Sequence, residues 1–281
     1  MTRTEVYGNA MPRMRSTLPS ILAALACTAG AQNAQVLRWG DFTVRVSPRP
    51  AADFSGTATA TVSRGGQVLV TLRDWTVEAS FENLRPGGSP ELVLEAYSGG
   101  AHCCTTYYAF TQDEGELRNL FVLDGGNYGA RFLDLNGDGI REILLGGDEF
   151  AYYDYSFAES PVVRSVLGWD GVRIADLTRR FARVPQQEAK RDRAELGAQL
   201  GPQGSASTRK AMLIGYFANS VAAGQGARAE TDLRANVLSK DAALRAWWGA
   251  NRGAVISTMY GFPDVRLSVT GAKVLPEEKE R

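Results

Sequence analysis

Apolar and polar residues alternate at every step along Phe42–Val46, the period of two that marks a strand with one buried face. A hairpin pattern follows: Ala58–Val62, a turn at Ser63-Arg-Gly-Gly66, then Val68–Leu72. Glu91–Tyr97 and Thr105–Phe110 read as strands, and Leu117–Leu123 follows the turn Asp113–Glu116. Ala130–Leu135 and Glu142–Leu145 form a further pair, and Val162–Leu167 and Val172–Leu177 another around the turn Trp169-Asp-Gly171. The aromatic run Phe150–Phe157 lies between them. It is expected to be strand core with alternate rings outside, the other reading being a sugar-binding platform.

Beyond Phe181 the period changes. Pro185 opens a charged stretch of helix formers that reaches Leu200, and Gly201–Ser205 breaks it. Ser207 is expected to cap a second helix, in which Met212, Leu213, Tyr216, Phe217 and Val221 share a face before Gly224. A third helix is expected over about Ser239–Trp248, with Asp241 in its first turn. Val255–Met259 and Val265–Val269 read as terminal strands around Gly261-Phe-Pro263, and the tail Pro276–Arg281 as frayed. The fold class expected is therefore α+β. Residues 32–181 would form a mainly antiparallel β domain, and residues 182–281 an α-rich C-terminal module with terminal strands.

Candidate chemistry concentrates in the segment from Phe132 to Ile143. Asp134, Asn136, Asp138 and Glu142 place oxygen side chains at alternating positions, and Gly139 follows the third of them. Such spacing wraps a loop around a hard cation, and the Ile140 carbonyl could add a ligand. Three carboxylates and an amide oxygen suit Ca²⁺ better than Mg²⁺, which demands a strict octahedron. An EF-hand would require Glu at the twelfth position, where this chain has Leu145. The apolar flanks instead make this a strand–loop–strand site. The other reading is a plain hairpin turn with solvated acids and no metal.

The segment from Phe81 to Leu94 aligns without a gap onto Phe132–Leu145. Phe81 falls on Phe132, Leu84 on Leu135, Gly88 on Gly139 and Glu91 on Glu142. A repeat of this length suggests blade-like units, about 79–127 and 128–181. In the first copy the cation positions hold Asn83, Arg85 and Gly87, so that copy is expected to keep the turn without an ion. With these loops, Gly87-Gly-Ser-Pro-Glu91 and Gly99-Gly-Ala-His-Cys-Cys-Thr105, the chain resembles secreted bacterial proteins of the FG-GAP/VCBS calcium-loop repeat type. The resemblance covers roughly residues 55–180 and implies a Ca²⁺-stabilised, propeller-blade-like β domain in the cell envelope or outside the cell. It implies no particular activity. Two visible repeats are too few to close a propeller.

The 31 basic and 31 acidic residues balance, with no basic run to suggest nucleic acid. Met11–Arg15 is a short basic region, Leu18–Ala26 a compact apolar stretch too short to span a bilayer, and Ala29-Gly-Ala31 a small-residue cleavage pattern. Residues 1–31 thus read as an export signal and the protein as secreted or periplasmic. Lipidation through Cys27 is the weaker alternative. Export leaves Cys103 and Cys104 as neighbours beside the single histidine, His102. A strained vicinal bridge, two buried thiols, and a thiol or metal site are the readings open to them.

No nucleophile elbow, P-loop, dinucleotide fingerprint or His-Glu-x-x-His motif occurs. Asp148, Glu149 and Asp154 near the aromatic run are the candidates for carboxylate-based glycan hydrolysis. The expectation is an exported non-catalytic protein with structural Ca²⁺ and an unknown protein or glycan ligand, without nucleic acid or a transmembrane span. A thiol or metal protein centred on His102-Cys103-Cys104 and a glycan hydrolase are the alternatives.

Overall fold

Among the described residues twelve strands are followed by four helices and then by one last short strand. The computed structural model describes residues 34–50, 56–100, 104–261, 267–268 and 273–274. The expected export signal with Cys27, His102, Cys103, the turn residues Phe262 and Pro263, and the tail Pro276–Arg281 lie outside the described residues.

Strands β1 (Gln35–Trp39), β2 (Phe42–Ser47), β3 (Ala58–Arg64) and β4 (Gln67–Asp74) form one antiparallel meander. A second comprises β5 (Thr76–Glu82), β6 (Glu91–Tyr97), β7 (Thr105–Asp113) and β8 (Glu116–Gly126). The short β13 (Leu267–Ser268) adds to β8 at its edge. The third meander is β9 (Ala130–Leu133), β10 (Glu142–Gly147), β11 (Val163–Trp169) and β12 (Ile174–Asp176). Among the described residues all three sheets are open.

The sheets stack as layers, and the second lies in the middle. On one of its faces Val77, Leu92, Leu94 and Leu117 pack against Phe42, Val44 and Val62 of the first sheet. On the other, Val93, Tyr107, Phe121 and Leu123 meet Ile143, Leu145 and Leu167 of the third. Burial on both faces explains why four consecutive residues of β6, Glu91 to Leu94, are all buried.

Four helices follow, α1 (Arg183–Ala198), α2 (Ala206–Ala222), α3 (Gly226–Asp232) and α4 (Ala242–Gly261), and α1 and α2 pack on β11 of the third sheet. A wide π-helical stretch, Leu233–Leu238, continues α3. Leu213, Ile214, Phe217, Leu233, Trp248 and Val255 build their core with Phe150 and Val163. Residues 32–281 are one compact unit, and no described helix is long and apolar enough to cross a membrane.

Three expectations are corrected here. The aromatic run is not a strand: Phe150–Ser156 is a series of turns and bends, in which Phe150 and Tyr155 turn into the helical core while Tyr152 stays exposed. Val255–Met259 is not a strand but the last part of α4. Its β-branched residues favour a strand, yet Leu244, Trp248 and Val255 recur at helical spacing and bury one face. The cap of α2 is Ser205 rather than Ser207, its hydroxyl accepting the Thr208 N–H at 3.3 Å.

Helix α2 is tied to the third sheet by Asn219, which is fully buried. Its Nδ2 donates to the Val162 carbonyl and its Oδ1 accepts the Arg164 N–H, both at 2.9 Å. The side-chain amide thus satisfies the edge of β11 beyond the end of short β12, as another strand would. The same Nδ2 donates to Asp192 Oδ2 of α1 at 3.3 Å. Burial pushes the Asp192 carboxyl up to about 7, with the charge of Glu188 adding to the rise, and Asn219, Arg191 and Arg164 opposing it.

The native state therefore keeps a proton on Asp192 that the unfolded chain releases near the ordinary carboxylate pKa. Stability from this group is complete below about pH 4, falls as pH rises towards about 7, and is not regained above it. Asp192→Asn should match the parent protein in stability at pH 4 and exceed it at pH 8, by roughly 2–4 kcal/mol and with a higher melting temperature. Thermal melts across pH 4–8 check this.

Candidate functional site: the two repeat loops

Hairpins β5–β6 and β9–β10 carry the repeat, and they share a register. Glu82 pairs with Glu91 in the first, and Leu133 with Glu142 in the second. In each, the glutamate that opens the second strand turns back to accept an amide N–H across the loop. Glu91 Oε2 accepts from Leu84 N–H and Glu142 Oε2 from Leu135 N–H, both at 2.9 Å. Each leading phenylalanine meets an aromatic ring on the preceding sheet. Phe81 lies 6.3 Å from Trp39, and Phe132 lies 5.7 Å from Tyr107, edge to face. The loops also touch each other. Arg141 N–H donates to the Asn83 carbonyl at 2.7 Å, and its guanidinium pairs with Glu82 at 2.8 Å.

In the second loop the predicted ligands are gathered but engaged with the backbone. Asp134 accepts N–H groups from Gly137 at 2.6 Å, Asp138 at 3.2 Å and Gly139 at 3.0 Å. These amides, Gly139 first, hold its carboxyl below the ordinary range. Asn136 Oδ1 accepts the Asp138 N–H, and Asp138 Oδ1 accepts the Ile140 N–H, at 2.9 and 2.8 Å. Gly137 and Gly139 both have positive φ, +81° and +83°, which lets successive amides point inward. Among the described residues no three His, Cys, Asp or Glu side chains are already drawn together around a metal position. As it stands, the loop is a set of nested Asx turns.

The two buried glutamates differ in their counter-charge. Glu91, 2% exposed, receives Arg85 Nε at 2.9 Å on Oε1, and Arg85 also donates to Thr111 Oγ1. Asn136 stands at the position of Arg85 in the second copy, and its Nδ2 reaches Glu142 Oε1 only at 3.5 Å. No basic side chain pairs with Glu142 among the described residues. Burial first, then the charges of Asp138 and Asp134, raise its carboxyl above the ordinary range. The Arg85–Glu91 pair, with Thr111, is a feature that sequence reasoning left out. Its signal was present, a basic residue at a ligand position of an otherwise matching repeat.

The remaining candidates are dispersed. Cys104 is exposed just before β7, where its N–H donates to Ser98 Oγ at 3.1 Å. Asp148 accepts from Asn127. Asp154 pairs with Lys210 and accepts Trp247 Nε1–H at 2.8 Å, which lowers its carboxyl pKa. Of the aromatic run, Tyr152 lies 5.5 Å from Phe157, whose ring stacks on Tyr128 at 6.2 Å.

No family model and no solved structure matches the chain. Similar curated proteins include the uncharacterised protein y4bJ of Sinorhizobium fredii, 34% identical over 97 residues that cover 33% of this chain and 15% of the relative. The probable thylakoid lumen protein sll0997 of Synechocystis is 26% identical over 145 residues, covering 48% of this chain and 40% of the relative. The chain spans less than half the length of both.

Removing Arg85 would leave Glu91 buried without a counter-charge. Arg85→Ala should lower stability by about 3 kcal/mol, and adding Glu91→Gln should recover part of the loss. Urea unfolding of the two single variants and the double variant measures the coupling.

Proposed function

We propose that this chain is an exported, non-catalytic β-repeat protein of the cell envelope in which loop Asp134–Glu142 takes up a structural Ca²⁺. One observation carries the reading. Two hairpins of the same register each bury a glutamate at the same place, and only the first has its own cation, Arg85 at 2.9 Å. The second has three carboxylates, Asp134, Asp138 and Glu142, and no basic partner among the described residues. A Ca²⁺ there would supply the charge that Arg85 supplies in the first repeat.

The donor set suits that ion. Ca²⁺ accepts carboxylate, amide and carbonyl oxygens at irregular angles. Asp134, Asn136 and Asp138 would exchange backbone N–H partners for the ion, while Glu142 keeps Leu135 on one oxygen and offers the other. The bound ion orders the loop and takes no part in a reaction.

Three successive four-stranded meanders, each of propeller-blade size, support a repeat scaffold that presents a surface to a protein or glycan partner. Export is supported by the pattern of residues 1–31 and by the name of the Synechocystis relative, a probable thylakoid lumen protein.

Thermal melting of the full chain in EGTA and across a Ca²⁺ titration, with Mg²⁺ as control, tests the ion. Ca²⁺ at ~100-fold above its Kd should stabilise the fold by ~2.7 kcal/mol. Asp138→Ala, an exposed change, should abolish the response and leave the melting temperature in EGTA nearly unchanged. An absent Ca²⁺ response, or an equal one in Asp138→Ala, would sink the reading.

A further inference from the structure

Away from the repeat loops, a cavity of about 450 Å³ opens where α2, α3 and α4 meet the β11–β12 edge of the third sheet. That volume lies within the usual range of small-molecule sites. Its apolar lining comes from three different elements: Phe217 and Val221 on α2, and Ile256 and Met259 on α4, with Ala227 of α3 on a third side.

Its charged lining is Arg164, Arg179 and Arg252 against Glu230 and Asp176, the last with Oδ1 accepting the Thr178 N–H at 2.7 Å. Arg252 lines the cavity but forms a two-pronged pair with Glu230, at 2.8 and 2.6 Å. Arg164 is likewise held by Glu188 at 2.9 Å. Arg179 differs: it is exposed at the rim and has no acidic partner among the described residues. Its Nη1 lies over Gly224, the residue with φ +82° that follows α2. A guanidinium at the rim of an apolar chamber, without an acidic partner among the described residues, is a receptor for one anionic head group.

We propose that this cavity binds a small amphipathic carboxylate, its apolar body against Phe217, Val221, Ile256 and Met259 and its head group on Arg179. Size and charge together select the class. The chamber favours a short acyl or aryl body, and the Arg179 guanidinium favours one carboxylate over a cation or a neutral head.

Isothermal titration of the full chain with octanoate, octan-1-ol and octyltrimethylammonium separates these terms, because the three share a tail and differ in head group. Octanoate should bind ~10-fold more tightly than octan-1-ol, and the ammonium compound more weakly than either. Arg179→Gln, an exposed change, should bring octanoate down to the affinity of the alcohol and leave the alcohol unaffected. Ala227→Trp should weaken both by filling the chamber. The inference is overturned if octanoate fails to bind, binds no better than the alcohol, or binds Arg179→Gln as well as the parent.

Discussion

A carboxylate buried at the first residue of a strand needs both a hydrogen-bond donor and a compensating charge, and the repeat is organised around meeting those needs. Glu91 and Glu142 meet the first in the same way, by reaching back seven residues to an amide N–H. That bond closes each loop and sets the register of its hairpin. They meet the second differently. Arg85 folds inward onto Glu91 and continues to Thr111 and towards the Trp169 ring at 5.8 Å, so the first loop carries its own cation and is tied to two sheets. The second loop holds the same carboxylate among further acids, and its polar contacts turn to the backbone instead.

Layering transmits this local solution through the molecule. Because β6 of the middle sheet is packed on both faces, the hairpin loops around it become the places where adjacent sheets meet. Trp39 of the first sheet donates to the Pro90 carbonyl at 2.7 Å, and Arg141 of the third donates to Asn83 at the same distance. The outer face of the third sheet is closed by helices rather than by another sheet. Asn219 makes that substitution possible, since its amide meets the unpaired edge of β11 from within a helix. Asp192, buried beside it with its carboxyl pushed up to about 7, links the docking of α1 and α2 to proton uptake as pH falls.

Much of this was legible in the chain. Most strands between Phe42 and Leu177 follow from apolar patterning and glycine-rich turns, because a strand offers alternate residues to a packed face. Strand β1 was missed because Gln35–Trp39 is mostly exposed and carries little alternation. Strand β5 was hidden by charged residues on its open side, Glu78 among them. The aromatic run and Val255–Met259 were misjudged for one reason: local propensity was followed where packing against the helical core prevailed.

The sequence by itself determined the order of elements, the 51-residue correspondence of the two loops, and the residue types able to hold a cation, because local spacing and backbone chemistry act within a dozen residues. Tertiary structure alone decided which charges meet. It brought Arg85 onto Glu91, left Glu142 without a basic partner among the described residues, placed Arg179 beside an apolar chamber formed by three helices, and buried Asp192 against Asn219. Each of these depends on which elements become neighbours and how much water they exclude, and no short stretch of chain specifies either.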